Sequence, residues 1–127
     1  MNTLSGKVAI VTGASKGIGA GIARLFAASG AAVVVNYATG KQAADALVAD
    51  IEGAGGKAVA IQADLSKTAD IRRLFAQARQ AFGALDVLVN NAGVYAFAPL
   101  ADATEQEFHR EFDTNVLGVI TATQEAA

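Results

Sequence analysis

Residues 7–19 read KVAIVTGASKGIG, and this stretch decides the fold. It opens with a run of β-branched and small apolar residues, which is typical of a buried strand. Glycines follow at positions 13, 17 and 19, and apolar residues with helical spacing begin directly after the turn that they form. The stretch therefore predicts a strand, a glycine-rich turn and a helix in immediate succession.

The same alternation of strand and helix continues along the whole sequence. Strands are predicted over residues 7–12, 32–37, 58–63 and 85–91. Apolar residues at helical spacing predict a helix after each strand, and the last helix is expected to begin near Thr104 and to run past Ile120. Strands joined by helices are parallel, and right-handed crossovers restrict the topology. The sequence thus predicts an α/β fold with a doubly wound parallel sheet.

Composition and charge narrow the classes of function. The 127 residues are 53% apolar and 17% charged, which suits a sheet covered on both faces. A net charge of −2 without a strongly basic stretch argues against nucleic acid or a membrane surface as the partner. The chain has no cysteine and a single histidine, His109, so no metal site is predicted. No apolar run reaches the length of a signal peptide or a membrane span, which favours a cytoplasmic protein.

The glycine-rich turn over residues 12–19, called the glycine loop below, is suited to binding phosphate. Glycines let the backbone approach a pyrophosphate, and the free N–H groups at the start of the following helix attract negative charge. The alternative is a tight turn that binds no ligand. A P-loop is ruled out because no glycine of the loop is followed by Lys and then Ser or Thr. The placement of the loop after the first strand favours a dinucleotide site.

The motifs of this chain resemble those of a known family. Four of them occur in order: the spacing Gly13-x-x-x-Gly17-x-Gly19, ADL at 63–65, NNAG at 90–93 and NVLG at 115–118. Together they resemble the short-chain dehydrogenase/reductase family, and within it the 3-oxoacyl-carrier-protein reductases and glucose dehydrogenases. The resemblance implies a Rossmann-like fold, with residues 1–127 as its dinucleotide-binding domain. It also implies an oxidoreductase that transfers a hydride between a nicotinamide cofactor and a carbonyl or hydroxyl substrate.

The resemblance carries over to individual cofactor-binding residues. They are Gly13, Ser15, Lys16, Gly17, Ile18, Gly19, Asn36, Tyr37, Ala38, Asp64, Leu65, Asn91, Ala92 and Gly93. Asp64 and Leu65 would contact the adenine, and residues 91–93 would line the ribose on the nicotinamide side. An alternative for Asp64 is an acid at the N-terminus of the next helix, with Ser66 or Thr68 as the cap.

The end of the second strand bears on the choice of cofactor. Folds that prefer NAD place a carboxylate there for the ribose 2′-hydroxyl, but this chain has Asn36, Tyr37 and Ala38. Lys16 in the glycine loop can pair with a 2′-phosphate, although a solvated loop charge is the alternative. The sequence therefore favours NADP(H) over NAD(H).

The family resembled here uses four residues for catalysis, and one of them is identified in this chain. The family pairs a tyrosine with a lysine four residues on, whose charge lowers the phenol pKa from about 10. A serine and a helical asparagine complete the set, and Asn115 matches the asparagine. An asparagine bonding its own helix is the alternative. Tyr37-x-x-x-Lys41 has the spacing but spans a strand-to-helix corner, and Tyr95 is interpreted as pocket wall or loop packing.

These observations lead to three readings of the chain. The first is the cofactor half of an NADP-dependent reductase, inactive by itself because the serine, tyrosine, lysine and substrate lid lie beyond it. The second is a non-catalytic dinucleotide-binding module, and the third is a structural oligomerising remnant. In each reading the strand over 85–91 has an unpaired edge, and apolar residues of the last helix lack a covering sheet. Self-association into a homo-oligomer is therefore predicted.

Overall fold

The structure, a computed structural model, describes residues 2–94 and 99–127. Its strands are β1 (Val8–Val11), β2 (Ala32–Tyr37), β3 (Lys57–Gln62) and β4 (Val87–Val89). Its α-helices are α1 (Gly17–Ala28), α2 (Lys41–Gly53), α3 (Thr68–Phe82), α4 (Glu105–Phe112) and α5 (Gly118–Ala126). A 3₁₀ turn spans Leu100–Asp102, and a π-helical turn over Asp113–Leu117 joins α4 to α5. In the described ranges, no helix is both long and apolar enough to cross a bilayer.

The sheet is parallel throughout and has the strand order β3-β2-β1-β4. The chain places β2 and β3 on one side of β1 and then returns to place β4 on the other side. This reversal confirms the predicted doubly wound topology. In such sheets the crevice for a ligand lies at the carboxyl ends of the strands, where the order reverses. Here that place is between β1 and β4.

Strand β2 shows why both faces of the sheet are buried. Its residues alternate between two cores, as a period of two requires. Val33 and Val35 pack on the side of α1 and α2, whereas Val34 packs on the side of α3 and α5. All three are 0% exposed, and burial of each valine is worth about 1.5–3 kcal/mol. The continuous apolar run of β2 is therefore a consequence of helices on both faces.

The helix boundaries follow the signals in the sequence. Gly83 ends α3 in the left-handed conformation, with a φ of 77°. Thr104 begins α4 as its N-cap, because the threonine side chain accepts a hydrogen bond from the Glu107 N–H at 3.1 Å. Both ends lie where the sequence predicts them.

Strand β4 is shorter than predicted. The sequence predicts it over residues 85–91, but it is regular only over Val87–Val89. At its start the Asp86 carboxylate accepts the Val8 N–H at 2.8 Å, and at its end the Asn91 N–H donates to the Thr12 hydroxyl at 3.0 Å. Backbone hydrogen bonds from Asp86 N–H to Val8 and from Thr12 N–H to Val89 are also present, so side chains supplement the backbone pairing at both ends.

The last helix begins after Thr104 and continues to Ala126, as predicted, but it contains a π-helical turn that the sequence does not predict. The residues on both sides of this turn keep helical dihedral angles, so the chain passes through it without a break, and such turns inside helices are frequent at functional sites. Asn115 lies in this turn and bonds to the backbone of Val94. Gly118 follows the turn at a point where a Cβ would collide with the Leu65 carbonyl oxygen. These two long-range contacts fix the path of the chain here.

Candidate functional site

The glycine loop lies at the carboxyl end of β1 and rests on the 90–93 turn. Gly13 has a φ of 60°, and a Cβ on it would lie 2.8 Å from the Cα of Ala92. Only glycine fits there, because both the conformation and the close approach exclude a side chain. Gly17 also has a positive φ, 61°, but a Cβ there would meet nothing within 4 Å. The inner side of the loop is therefore packed, and its outer side is open.

Two asparagine side chains hold the peptide groups of Gly13. The Oδ1 of Asn36 accepts the Gly13 N–H at 3.1 Å. From the other side, the Nδ2 of Asn91 donates to the carbonyl oxygens of Gly13 and Thr12, both at 3.0 Å. We name Asn36 and Asn91 the asparagine clamp. Because the clamp comes from β2 on one side and from the segment after β4 on the other, the loop is fixed from both directions.

Thr12 is a site residue that sequence reasoning missed. Its side chain is 1% exposed, and its hydroxyl accepts the N–H groups of Asn91 and Ala92, both at 3.0 Å. The same hydroxyl donates to the Val89 carbonyl at 3.3 Å. A polar residue at the end of an otherwise apolar buried strand is the signal that points to such a role, because buried polar groups are hydrogen-bonded.

At the N-terminus of α1, Gly17 and Ile18 are exposed and Gly19 is buried. The N-cap of α1 is Lys16, which makes no side-chain capping hydrogen bond, so the first N–H groups of the helix have no side-chain partner. Within the described part of the chain, the exposed Lys16 ammonium forms no ion pair. Ile18 is 78% exposed, although it is a large apolar residue. Free N–H groups, a positive charge and an exposed apolar side chain together suit a phosphate-bearing ligand.

The corner after β2 is mostly closed. Asn36 is 1% and Tyr37 8% exposed, whereas Ala38 is exposed. A Cβ on Gly40 would lie 2.9 Å from the Oγ of Ser15, which shows that this corner packs on the glycine loop. Asn36 and Tyr37 are predicted to contact the cofactor, but in this structure both side chains are buried.

Tyr37 and Lys41 do not form a catalytic pair in this structure. Tyr37 ends β2 and Lys41 begins α2, so the two do not share a helix face. The Lys41 ammonium lies 2.7 Å from Asp45. This hydrogen bond, followed by the charges of Asp45 and Tyr37, raises the pKa of Lys41 above its ordinary value. The strand-to-helix corner predicted from the sequence is confirmed.

At the end of β3, Asp64 is held by its neighbour Ser66. The Asp64 carboxylate accepts from the Ser66 N–H at 2.9 Å and from the Ser66 hydroxyl at 2.6 Å. Burial acts to raise the pKa of Asp64, but these hydrogen bonds and the charge of Lys67 outweigh it, so the pKa is lowered. Lys67 is the N-cap of α3 and no side chain caps the helix, so neither Ser66 nor Thr68 does so. Leu65 is 6% exposed and packs in the core.

Asn115 is bound to the backbone that follows the 90–93 turn. Its Oδ1 accepts the Val94 N–H at 2.8 Å, and its Nδ2 donates to the Val94 carbonyl at 2.6 Å. A Cβ on Gly93 would lie 3.3 Å from the same Oδ1. Asn115 thus bonds a distant segment rather than its own helix. Tyr95 lies outside the described residues.

The structure brings most of the predicted residues to one edge of the sheet. The glycine loop, Asp64, residues 91–93 and Asn115 all follow or adjoin the carboxyl ends of strands. A cavity of about 580 Å³ lies instead at the amino ends, beside Lys7 and Lys57. We place the candidate site at the carboxyl edge, since parallel sheets bind ligands there. In the ranges that the structure describes, no three His, Asp or Glu side chains are grouped as metal ligands would be.

Comparison with known proteins agrees with this geometry. The family model for short chain dehydrogenases matches residues 7–127. An uncharacterized oxidoreductase of Methylorubrum extorquens is 60% identical over 127 residues, which are 100% of this chain and 51% of that protein. The chain therefore spans about half the length of this relative.

Two solved structures with the same fold are complexes with a nicotinamide cofactor. A short chain dehydrogenase from Burkholderia cenocepacia J2315, in complex with NADP, superimposes with a TM-score of 0.96 at 45% identity. The match covers 98% of this chain and 51% of that one. A blue fluorescent protein from a metagenomic library, in complex with NADPH, gives a TM-score of 0.94 at 44% identity, covering 99% of this chain and 51% of that one.

Proposed function

This chain belongs to the short-chain dehydrogenase/reductase family, and we propose that it is the cofactor-binding part of an NADP(H)-dependent oxidoreductase. The observation that carries the proposal is the N-terminus of α1. Its N–H groups are uncapped, Lys16 is unpaired among the described residues, and the loop behind them is fixed by the asparagine clamp. A pyrophosphate fits this arrangement, because preformed donors bind it without reorganisation.

Each part of the site has a role in this proposal. Residues 17–19 hold the pyrophosphate, Asp64 faces the adenine, and residues 91–93 line the ribose on the nicotinamide side. When bound, the cofactor supplies or accepts the hydride for a carbonyl or hydroxyl group. The low pKa of Asp64 keeps its carboxylate ionised and ready to accept a hydrogen bond.

NADP(H) is proposed over NAD(H) because of Lys16. No carboxylate follows β2 over residues 36–39 to repel a 2′-phosphate. An exposed pair between Lys16 and that phosphate is worth about 1 kcal/mol, which is roughly fivefold in affinity. The NADP and NADPH bound to the two related structures are consistent with this choice.

We propose that none of the described tyrosine or asparagine side chains at the site supplies the proton. Reduction of a carbonyl requires an acid near the substrate oxygen. Tyr37 is buried at the corner after β2, and Asn115 has its amide engaged by Val94. The chain by itself is then expected to bind cofactor without turnover. A non-catalytic dinucleotide-binding module is the second candidate, and the same burial of Tyr37 favours it.

We also propose that the chain forms homo-oligomers. Among the described residues, β4 has a strand neighbour on only one side. Five large apolar residues near the C-terminus are between 45% and 53% exposed, and we call them the helical apolar face: Phe108, Phe112, Val116, Leu117 and Ile120. Light scattering at tens of micromolar checks this, and a single monomeric species would contradict it. The cytoplasmic location stays a prediction.

The first experiment is a titration of the purified chain with NADPH and with NADH, followed by calorimetry. We expect saturable binding of both, with NADPH tighter. Lys16→Ala should weaken NADPH about fivefold and leave NADH unchanged. Lys57→Ala is the control, because Lys57 is also exposed but lies at the amino end of β3.

Two outcomes contradict the proposal. An unchanged NADPH/NADH ratio in Lys16→Ala removes the basis for NADP(H) preference. Absence of binding up to millimolar concentrations shows that this chain alone does not form the site.

A further inference from the structure

We infer that Asn36 is a positioning residue: it fixes the glycine loop for the cofactor and does not itself contact the cofactor. The inference rests on the function proposed above. The sequence suggests that Asn36 contacts the cofactor directly. We infer instead that Asn36 acts indirectly, by holding the peptide group of Gly13.

The first support is the environment of the Asn36 side chain. It is 1% exposed and lies in a strand whose preceding residues are the buried valines 33–35. An amide buried without partners costs about 1–3 kcal/mol. Asn36 avoids this cost through three hydrogen bonds, to Gly13, Ile61 and Ala63. A polar residue in this place is thus satisfied entirely by the protein.

The second support is the direction of those hydrogen bonds. The Nδ2 of Asn36 donates to the carbonyls of Ile61 and Ala63, both at 3.3 Å. Because the amino group faces β3, the Oδ1 must face the glycine loop, where it accepts the Gly13 N–H. The main-chain carbonyl of Asn36 accepts the Ala14 N–H at 2.8 Å as well. Asn36 therefore ties the glycine loop to the segment that leads into Asp64.

The third support is that Gly13 has no peptide group left for a ligand. Its N–H is taken by Asn36 and its carbonyl by Asn91. The donors that remain for a pyrophosphate lie further on, at the uncapped start of α1. Only three residues separate Gly13 from the start of α1, so the orientation of the Gly13 peptide group affects where those donors lie. Loss of the Asn36 side chain should therefore affect every dinucleotide alike, whatever its 2′-substituent.

The test compares Asn36→Ala with Val34→Ala. Val34 lies on the same strand and is 0% exposed, but it packs in the other core and does not touch the glycine loop. At a temperature where both variants are folded, Asn36→Ala should weaken NADPH and NADH by the same factor, about tenfold. Val34→Ala should lower the unfolding midpoint and leave both dissociation constants unchanged. The inference fails if Asn36→Ala weakens NADPH alone, which would indicate contact with the 2′-phosphate, or if it changes neither constant.

A second measurement needs no variant and no cofactor. Amide exchange of the unmodified chain, followed by NMR, should show a slow Gly13 N–H and a fast Gly17 N–H, because among the described residues an acceptor is found for the first and not for the second. Fast exchange at Gly13 would overturn the inference even if Asn36→Ala does not fold. If the unmodified chain binds neither cofactor, the proposed function fails together with the positioning role. Slow exchange at Gly13 would then still establish the hydrogen bond itself.

Discussion

The glycine loop and the helical apolar face differ in how far the chain's own residues bond or cover their side chains. Around the loop, Thr12 and Asn36 are each 1% exposed and fully hydrogen-bonded. Across the described residues, no buried side-chain nitrogen or oxygen lacks a partner. On the helical apolar face, by contrast, Phe108 and Phe112 stack at 4.5 Å and yet remain about half exposed, at 53% and 50%. The buried polar groups behind the loop are all hydrogen-bonded within this chain, whereas the residues of the helical apolar face stay half exposed.

The largest effect is expected from a side chain at the packed glycine of the loop. Gly13→Ala should lower the free energy of unfolding by about 2–4 kcal/mol, because strain at positive φ adds to the collision with Ala92. Gly17→Ala has the same φ region but open space, so it should cost only about 1–2 kcal/mol. Urea unfolding of both variants measures the difference. Equal losses would mean that the loop is not packed on the 90–93 turn.

The next effect concerns how α5 is attached to the sheet. Alanine for glycine inside a helix normally stabilises by about 1 kcal/mol. Gly118→Ala should instead destabilise by about 1–3 kcal/mol, because the added Cβ meets the Leu65 carbonyl. Gly21→Ala in α1 is the matched control, since nothing lies within 4 Å, and it should stabilise. If Gly118→Ala and Gly21→Ala shift the midpoint of thermal unfolding in the same direction, the close contact at Gly118 is contradicted.

A smaller effect on stability is expected on the helical apolar face. Phe112→Glu should cost about 1 kcal/mol through the lost stacking with Phe108. Its main consequence should be a lower apparent mass in light scattering, because a charge then lies in the contact between copies. Leu25→Glu is the control, as Leu25 is 64% exposed on α1, away from this face. An equal fall in mass for both variants would show that the apolar face is not the contact.

The smallest effect is a dependence of stability on pH through Asp64. Its pKa in the folded chain lies below the ordinary 3.8, so the carboxylate adds stability above that value and loses it as the pH falls through the folded pKa. The difference in urea midpoint between the unmodified chain and Asp64→Asn should therefore shrink between pH 5 and pH 2.5. A constant difference for Asp64→Asn would contradict the lowered pKa.

Much of the fold was readable from local patterns. Strand β2 was predicted over 32–37 and is found there, because its apolar run reflects burial on both faces. The end of α3 at Gly83 and the start of α4 after Thr104 also follow local signals. These features depend on residues close in sequence, which is why sequence alone predicts them.

The features that sequence missed depend on distant contacts. The π-helical turn before α5 coincides with the hydrogen bond from Val94 to Asn115 and with the close approach of Gly118 to Leu65. The roles of Thr12 and Asn36 could not be predicted without knowing which backbone groups lie beside the end of each strand. A single polar residue in an apolar strand indicates such a position, but it does not show which group is its hydrogen-bond partner.

The strand order has a consequence for the order of folding. The Gly13 hydrogen bond to Asn36 joins residues 23 apart, whereas that to Asn91 joins residues 78 apart. Closing the longer loop costs about 1 kcal/mol more entropy, so contacts among β1, β2 and β3 should form before β4 docks. During refolding, the sheet should therefore be largely assembled while the second half of the asparagine clamp is still open. The capacity to bind a cofactor should appear later than most of the secondary structure.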